Sequence, residues 1–231
     1  MCPEEGYYVA YSGGKDSTVL LDLVRRSGVK YDAHYNLTTV DPPELVDFIR
    51  TQKDVEIDYP QTSMWQEIIN KGTPPTRLMR FCCRTLKERG GTGRLVVTGI
   101  RWAESPRRAK RMMTETCYQD GTKTYFHPII DWEDRDVWGY IRQQNLPYCQ
   151  LYDEGFKRLG CILCPMGSKK QKLMQMKRWP QYKQAYLNTF TKMLAERERR
   201  GKETQWKTAE DVYHWWLELR EHEEDQLTIF E

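Results

Sequence analysis

The chain has 231 residues, 39% of them apolar and 30% charged, a balance that excludes a disordered polyelectrolyte and suits one good-sized folded body, or one with a helical appendage. No run approaches the roughly 18 uninterrupted apolar residues of a membrane span. The net charge of +3 hides an asymmetry: residues 221–231 hold five acids and no Lys or Arg, so the first 220 residues carry +8 by difference and suit anionic partners.

The opening Met-Cys-Pro-Glu-Glu-Gly has neither the basic start nor the apolar run of a signal peptide, so the expected location is the cytoplasm. Seven cysteines in such a setting call for a metal or redox account rather than a disulfide framework. In chain order, short apolar runs at Tyr7–Tyr11, Tyr31–Leu37, Val55–Tyr59 and Leu95–Ile100 read as strands. Between them Ser17–Arg26, Pro43–Gln52 and Met64–Asn70 read as helices, the second with proline in its first turn. This alternation predicts an α/β fold, a mostly parallel sheet with helices on both faces. Thr116–Tyr118 and Thr122–Phe126 around Asp120-Gly121 read as a hairpin. From Trp132 the pattern turns helical, with Val137, Trp138 and Ile141 at helical spacing, then helices at Gln181–Arg200 and Thr208–Glu224. The expected organisation is a nucleotide-binding domain over residues 1–178 that includes a metal site, and a helical extension over 179–231 with an acidic tail.

Ser12-Gly13-Gly14-Lys15-Asp16-Ser17 joins the first strand to the first helix. Glycines there expose backbone N–H groups, the helix start is electropositive, Lys15 adds a point charge, and Ser12 and Ser17 add hydroxyls. The turn is therefore expected to bind phosphate. It is not the common mononucleotide loop, which needs Lys followed by Ser or Thr, whereas Asp16 follows Lys15 here.

Four cysteines fall in two pairs, Cys82-Cys83 and Cys161-x-x-Cys164. Four thiolates suit tetrahedral zinc or an iron–sulfur cluster, and adjacent cysteines fit a multi-iron cluster better than one small ion. Cys2, Cys117 and Cys149 read as buried filler, Cys149 being the spare thiol of interest. Arg101, Arg107, Arg108, Lys110 and Arg111 form one basic stretch, and Lys169, Lys170, Lys172, Lys177 and Arg178 another; either could grip a polyanion or face solvent. Trp215 and Trp216 fall in an amphipathic helix and read as core.

The loop at 12–17 resembles the PP-loop of the ATP pyrophosphatases, which split ATP between its α and β phosphates. Further segments resemble the adenylyl-sulfate and phosphoadenylyl-sulfate (PAPS) reductases within that superfamily: Thr38–Glu44, with Thr38-Thr39 in place of their Thr-Gly; "TGIRWAESPRRA" (Thr98–Ala109); "HPIIDWEDRDVWGYI"; and Leu151–Cys164. The resemblance covers roughly residues 7–168. It implies the adenine nucleotide α hydrolase-like fold and ATP with Mg2+ as cofactors. Ser12, Gly13, Gly14, Lys15, Asp16, Ser17, Thr38, Gly99, Arg101 and Glu104 would surround the nucleotide, with Lys15, Asp16 and Ser17 as catalytic residues. It also implies a [4Fe–4S] cluster on Cys82, Cys83, Cys161 and Cys164.

Those reductases carry a nucleophilic cysteine near the C-terminus, and no cysteine follows Cys164 in the sequence. Another group that the chain resembles, keeping both the loop and the cluster cysteines, is the ATP pyrophosphatases of DNA phosphorothioation. The expected function is thus adenylation of an acceptor for sulfur transfer in nucleic-acid modification, with a cysteine desulfurase as sulfur donor and a homodimer compatible with this reading. Arg107, Arg108, Lys110, Arg111, Lys169 and Lys170 are candidate nucleic-acid contacts. Gln226, Leu227, Ile229 and Phe230 resemble a sliding-clamp docking peptide. Two alternatives stand beside it: a sulfonucleotide reductase of sulfate assimilation using another thiol, and a non-catalytic ATP-sensing subunit.

Overall fold

The computed structural model describes residues 3–117 and 121–217. Cys2, Asp120 and the peptide at residues 226–230 lie outside the described residues. The chain divides into two compact units, Met1–Pro60 with Arg84–Gly160, and Gln61–Cys83 with Cys161–Glu231.

The first unit is built on a six-stranded sheet. Its strands are β1 (Tyr7–Ala10), β2 (Tyr31–Asn36), β3 (Val55–Asp58), β4 (Leu95–Val97), β5 (Thr114–Thr116) and β6 (Thr124–Phe126). Their order is β3-β2-β1-β4-β6-β5, with every neighbouring pair parallel except β5 against β6. Tyr8, Val9, Ala33, Tyr35, Val96 and Val97 are buried, which explains why the strands read as apolar runs. Helix α1 (Lys15–Ser27) buries Val19, Leu20, Leu21 and Val24 and stops at Gly28, whose φ of 69° a side chain rarely adopts. Helix α2 spans Pro43–Arg50, and α4 (Asp134–Gln143) sets Val137 and Ile141 against Val19 of α1, ringed by Leu23, Trp132, Trp138, Tyr140 and Leu146.

The hairpin was legible but misplaced by two residues in its first strand. Thr116 pairs with Thr124, so the connection begins at Cys117, where its amide donates to the Lys123 carbonyl. A longer connection than a two-residue turn lets Glu115 and Tyr125 face each other in the ladder.

The second unit is helical. Helix α3 (Met64–Lys71), capped by the Ser63 hydroxyl and closed by Gly72, joins α5 (Lys169–Arg178), α6 (Pro180–Arg199) and α7 (Ala209–Leu217). Met64, Ile68, Tyr186, Phe190, Met193, Val212, Tyr213 and Trp216 form its core. Trp216 packs on Tyr186 and Phe190 at ring separations of 4.6 and 5.7 Å, and its indole N–H donates to the Pro75 carbonyl at 2.6 Å, so it is a core residue. Helix α3 follows β3 in sequence as a crossover helix would, yet belongs with this unit. Helix α5 was legible only as a basic stretch because its buried positions, Lys172 and Gln175, are polar and leave no apolar period. Among the described residues no helix is long and apolar enough to cross a membrane.

Candidate functional site

Strand order reverses at β1, which has β2 on one side and β4 on the other. In open parallel sheets the crevice at such a reversal, beyond the carboxyl ends of the strands, is where ligands bind. The segments leaving β1 and β4 there are residues 11–14 and 98–101. Gly13 has φ 70°, and a Cβ on it would come within 2.7 Å of Leu45 and 2.9 Å of Ile49 on α2. Gly99 has a different duty: a Cβ there would lie 3.0 Å from the Asp16 backbone, so the β4 segment lies directly on the start of α1.

The turn is clasped from within. The Ser17 hydroxyl donates to the Gly14 carbonyl at 2.9 Å and accepts from the Ser12 amide at 3.2 Å and the Ser12 hydroxyl at 3.0 Å. Ser17 is buried and spent on this clasp, whereas Ser12 is exposed. The first amides of α1 have no intrahelical acceptor and form an electropositive end.

Beside that end lies an ionic network. The Lys15 ammonium sits 3.0 Å from Asp16 and 3.3 Å from Asp134. Arg101, 1% exposed, donates from Nε to Asp16 at 2.6 Å, from one terminal nitrogen to Asp134 at 2.5 Å, and from the other to the Trp132 carbonyl at 2.9 Å. Two cations alternate with two carboxylates, so Lys15 is held in one place. Burial pushes the Asp134 carboxyl up, but the hydrogen bond from Arg101 and the charge of Lys15 outweigh it and hold it below its usual range. Arg101 is thus no surface contact for a polyanion, as its basic neighbourhood suggested; its charge is consumed inside the site. Glu104 accepts the Arg101 amide at 2.9 Å.

Sequence reasoning missed three residues here. The Tyr152 hydroxyl accepts the Lys15 amide at 2.8 Å, with its ring edge-on to Trp138 at 5.1 Å. Asp134 was legible only as an acid favourable to a helix start. His127, fully buried after β6, lies 2.7 Å from the Thr98 hydroxyl and 3.4 Å from Glu115; burial and the charges of Arg111 and Arg108 push it down to about 4. Thr38 is buried, its amide donating to Asp41 at 2.6 Å. Thr39 has φ 66°, a left-handed conformation that a β-branched residue adopts only under strain, at the position where the resembling family has glycine.

Of the basic candidates, Arg108 pairs with Glu104 and Arg111 with Glu115, while Arg107 and Lys110 are exposed. Lys169 and Lys170 are exposed in the first turn of α5.

The four paired cysteines all belong to the second unit. The Cys161–Cys164 turn is tied down by its surroundings: Gln175 accepts the Leu163 amide at 2.8 Å, and Tyr186 donates to the Ile162 carbonyl at 3.1 Å. Leu163, buried, has φ 58°. A terminal nitrogen of Arg80 donates to Cys83 Sγ at 3.4 Å. A hydrogen bond with Cys83, burial, and the negative charges of Cys83, Cys161 and Cys164 all raise the Cys82 thiol well above its usual range. Among the described residues no group of three or more His, Cys, Asp or Glu side chains is placed to hold a metal ion. Cys149 is buried and raised by that burial, as a filler thiol should be.

A mostly parallel sheet with an electropositive loop at its reversal point, backed by a fixed lysine, defines a protein of the PP-loop nucleotide-binding type. The phosphoadenosine phosphosulfate reductase domain model matches residues 6–167, and the chain belongs to that family. It is 28% identical over 184 residues to adenosine 5'-phosphosulfate reductase 2 of Bacillus subtilis, covering 74% of this chain and 77% of that one. It is also 28% identical over 193 residues to an uncharacterized protein of Methanocaldococcus jannaschii, covering 78% of this chain but only 47% of that protein, and it spans 35% of a second protein from the same organism. The PAPS reductase of Candida auris, crystallised as a phosphate complex, superposes with a TM-score of 0.53 at 20% identity, over 67% of this chain and 80% of that one, a likeness of fold.

Proposed function

We propose that this chain is an ATP pyrophosphatase that adenylates an acceptor for sulfur transfer, the acceptor being a nucleic-acid phosphodiester. The observation that supports it most is the Lys15–Asp16–Arg101–Asp134 network, which holds one ammonium beside the helix end without placing a hydroxyl after it as a mononucleotide loop does. An acceptor oxygen attacks the α-phosphorus of ATP, the bond to the β-phosphate oxygen breaks, and pyrophosphate leaves. The α1 amides and Lys15 neutralise the departing phosphates, with magnesium arriving on the nucleotide as part of the substrate. The terminal sulfur of a persulfide, supplied by a cysteine desulfurase, then attacks the activated phosphorus and AMP leaves. A second thiol reduces the remaining S–S bond and releases the phosphorothioate.

Cys82, Cys83, Cys161 and Cys164 fit a [4Fe–4S] cluster by donor type: four sulfurs in two pairs belong to one unit, and Arg80 already offers Cys83 a hydrogen bond. With four protein ligands such a cluster supplies structural and electrostatic support. On sequence resemblance alone, the same proposal assigns residues 226–230 to a sliding clamp.

The experiment is a product assay on anaerobically purified protein. ATP should yield AMP and pyrophosphate, the protein should carry about four irons per chain, and Lys15→Ala, which removes a charge-assisted phosphate contact, should lower kcat/KM by about 10- to 150-fold. ADP and phosphate as products would overturn the proposal. A second reading, sulfonucleotide reduction, draws on the match to the Bacillus subtilis reductase. It requires sulfite from adenylyl-sulfate or PAPS with reduced thioredoxin, and its absence is expected.

A further inference from the structure

We infer that the segment following Arg101 is a stacking platform for an unpaired nucleic-acid base, with cations beside it for the adjoining phosphates. The inference rests on the acceptor class proposed above. Trp102 is 43% exposed although it is the most costly side chain to leave in water. Its indole N–H is already spent, donating to the Arg111 carbonyl at 2.8 Å, so the ring is fixed against the turn 108–111 and needs no polar partner from outside. Met112 and Met113, 66% and 49% exposed, directly follow Arg111 in sequence and add exposed apolar side chains to an otherwise charged stretch. Isolated exposed apolar residues are ordinary; an exposed indole locked in place, with two exposed methionines following its anchor in sequence, calls for an occupant.

Charge selects the occupant. Arg108 and Arg111 are neutralised by Glu104 and Glu115, but Arg107 and Lys110, exposed in the same turn, make no ion pair among the described residues. A fixed aromatic face, polarisable thioethers and two unneutralised cations recognise a π-face joined to a phosphate, which is a single strand rather than a duplex whose bases are stacked away. The backbone places this surface one residue beyond Arg101 of the nucleotide site, and the Trp102 amide is anchored to the Ile130 carbonyl at 2.7 Å. A strand held there is therefore next to the place where its phosphodiester would meet ATP.

The test is fluorescence anisotropy with a fluorescein-labelled oligonucleotide of about 12 nucleotides, single-stranded and as a duplex, titrated at several salt concentrations. The wild type should prefer the single strand. Trp102→Ala should raise its Kd about tenfold or more, while Trp102→Phe, which keeps a ring but not the N–H, should stay within about threefold. The Arg107→Ala/Lys110→Ala pair should lower the slope of log K against log salt by roughly 0.7 per lost phosphate contact. Equal binding by Trp102→Ala, a duplex preference, or no oligonucleotide binding by the wild type would each overturn the inference. If Trp102→Ala melts early, Trp102→Phe and the salt slope of the paired variant still decide, since loss of binding in the first or an unchanged slope in the second overturns it. AMP formation without oligonucleotide binding would sink this inference alone; oligonucleotide binding without AMP formation would sink the proposed reaction alone.

Discussion

Arg101→Met is expected to destabilise the protein by about 3 kcal/mol and to abolish nucleotide turnover to within background. The side chain is 1% exposed and its guanidinium serves Asp16, Asp134 and the Trp132 carbonyl together. Methionine fills similar volume, so the loss reads out charge and hydrogen bonding rather than a cavity. Asp16 and Asp134 would then share Lys15 as their only remaining cation in this network, one positive charge against two carboxylates. At roughly 2–4 °C per kcal/mol for a chain of this size, the melting temperature should fall by about 6–12 °C. A variant that melts with the wild type would show that the network is replaceable by packing. Acid should also cost the wild type more than the variant once pH falls below the ordinary carboxylate pKa of about 4. Asp134 is held below its usual range by Arg101 and Lys15, so its contribution is present above its unfolded pKa and lost as pH falls through the folded one.

His127 predicts a second loss, at milder acidity. It is fully buried, and burial together with the charges of Arg111 and Arg108 pushes it down to about 4, against roughly 6.5 in an unfolded chain. The unfolded chain therefore binds a proton over the interval in which the folded one refuses it. Stability falls as pH drops from about 6.5 towards 4, by about 3 kcal/mol over the whole interval and about 2 kcal/mol by pH 5. Glu115, 3.4 Å from the ring, is the carboxylate among the described residues that pairs with it and could oppose this. Urea unfolding of the wild type and His127→Gln at pH 7.5 and pH 5 checks it, because glutamine keeps a polar group there but does not titrate. The wild type should lose about 2 kcal/mol more than the variant; equal losses would mean that the imidazole is protonated in place.

What the sequence made legible follows from how local each cause is. The strands β1 to β4, the helix that begins at Lys15, and Gly13 at the turn are dictated by runs of apolar residues and one backbone conformation, all readable within a few residues. The Lys15 network is not local. Arg101 and Asp134 are 86 and 119 positions from Lys15, and nothing in the neighbourhood of either says that its charge is consumed by the other. Arg101 reads as one of five basic residues and, by resemblance, as part of the nucleotide's surroundings, but not as the partner of Asp16 and Asp134, and Tyr152 reads as an aromatic in a motif rather than as the acceptor of a loop amide. The strained Thr39 was visible only as a departure from glycine; its left-handed backbone turns that departure into a physical cost. Helix α5 escaped notice for the opposite reason, since the residues it buries are themselves polar.

The division of the chain has a consequence during synthesis. Residues 61–83 emerge before the rest of their unit: the 77 residues 84–160 of the other unit follow, and only then the helix α6 that packs on α3. Met64 and Ile68, 3% and 0% exposed in the finished protein, wait uncovered on the ribosome for that whole interval. At about 5–20 residues per second the wait is roughly 4–15 s, long compared with the microseconds in which apolar segments collapse. The nascent chain thus presents a short, sticky helix to whatever apolar surface or chaperone is nearby, and a stalled or truncated product ending before residue 161 would keep it exposed permanently.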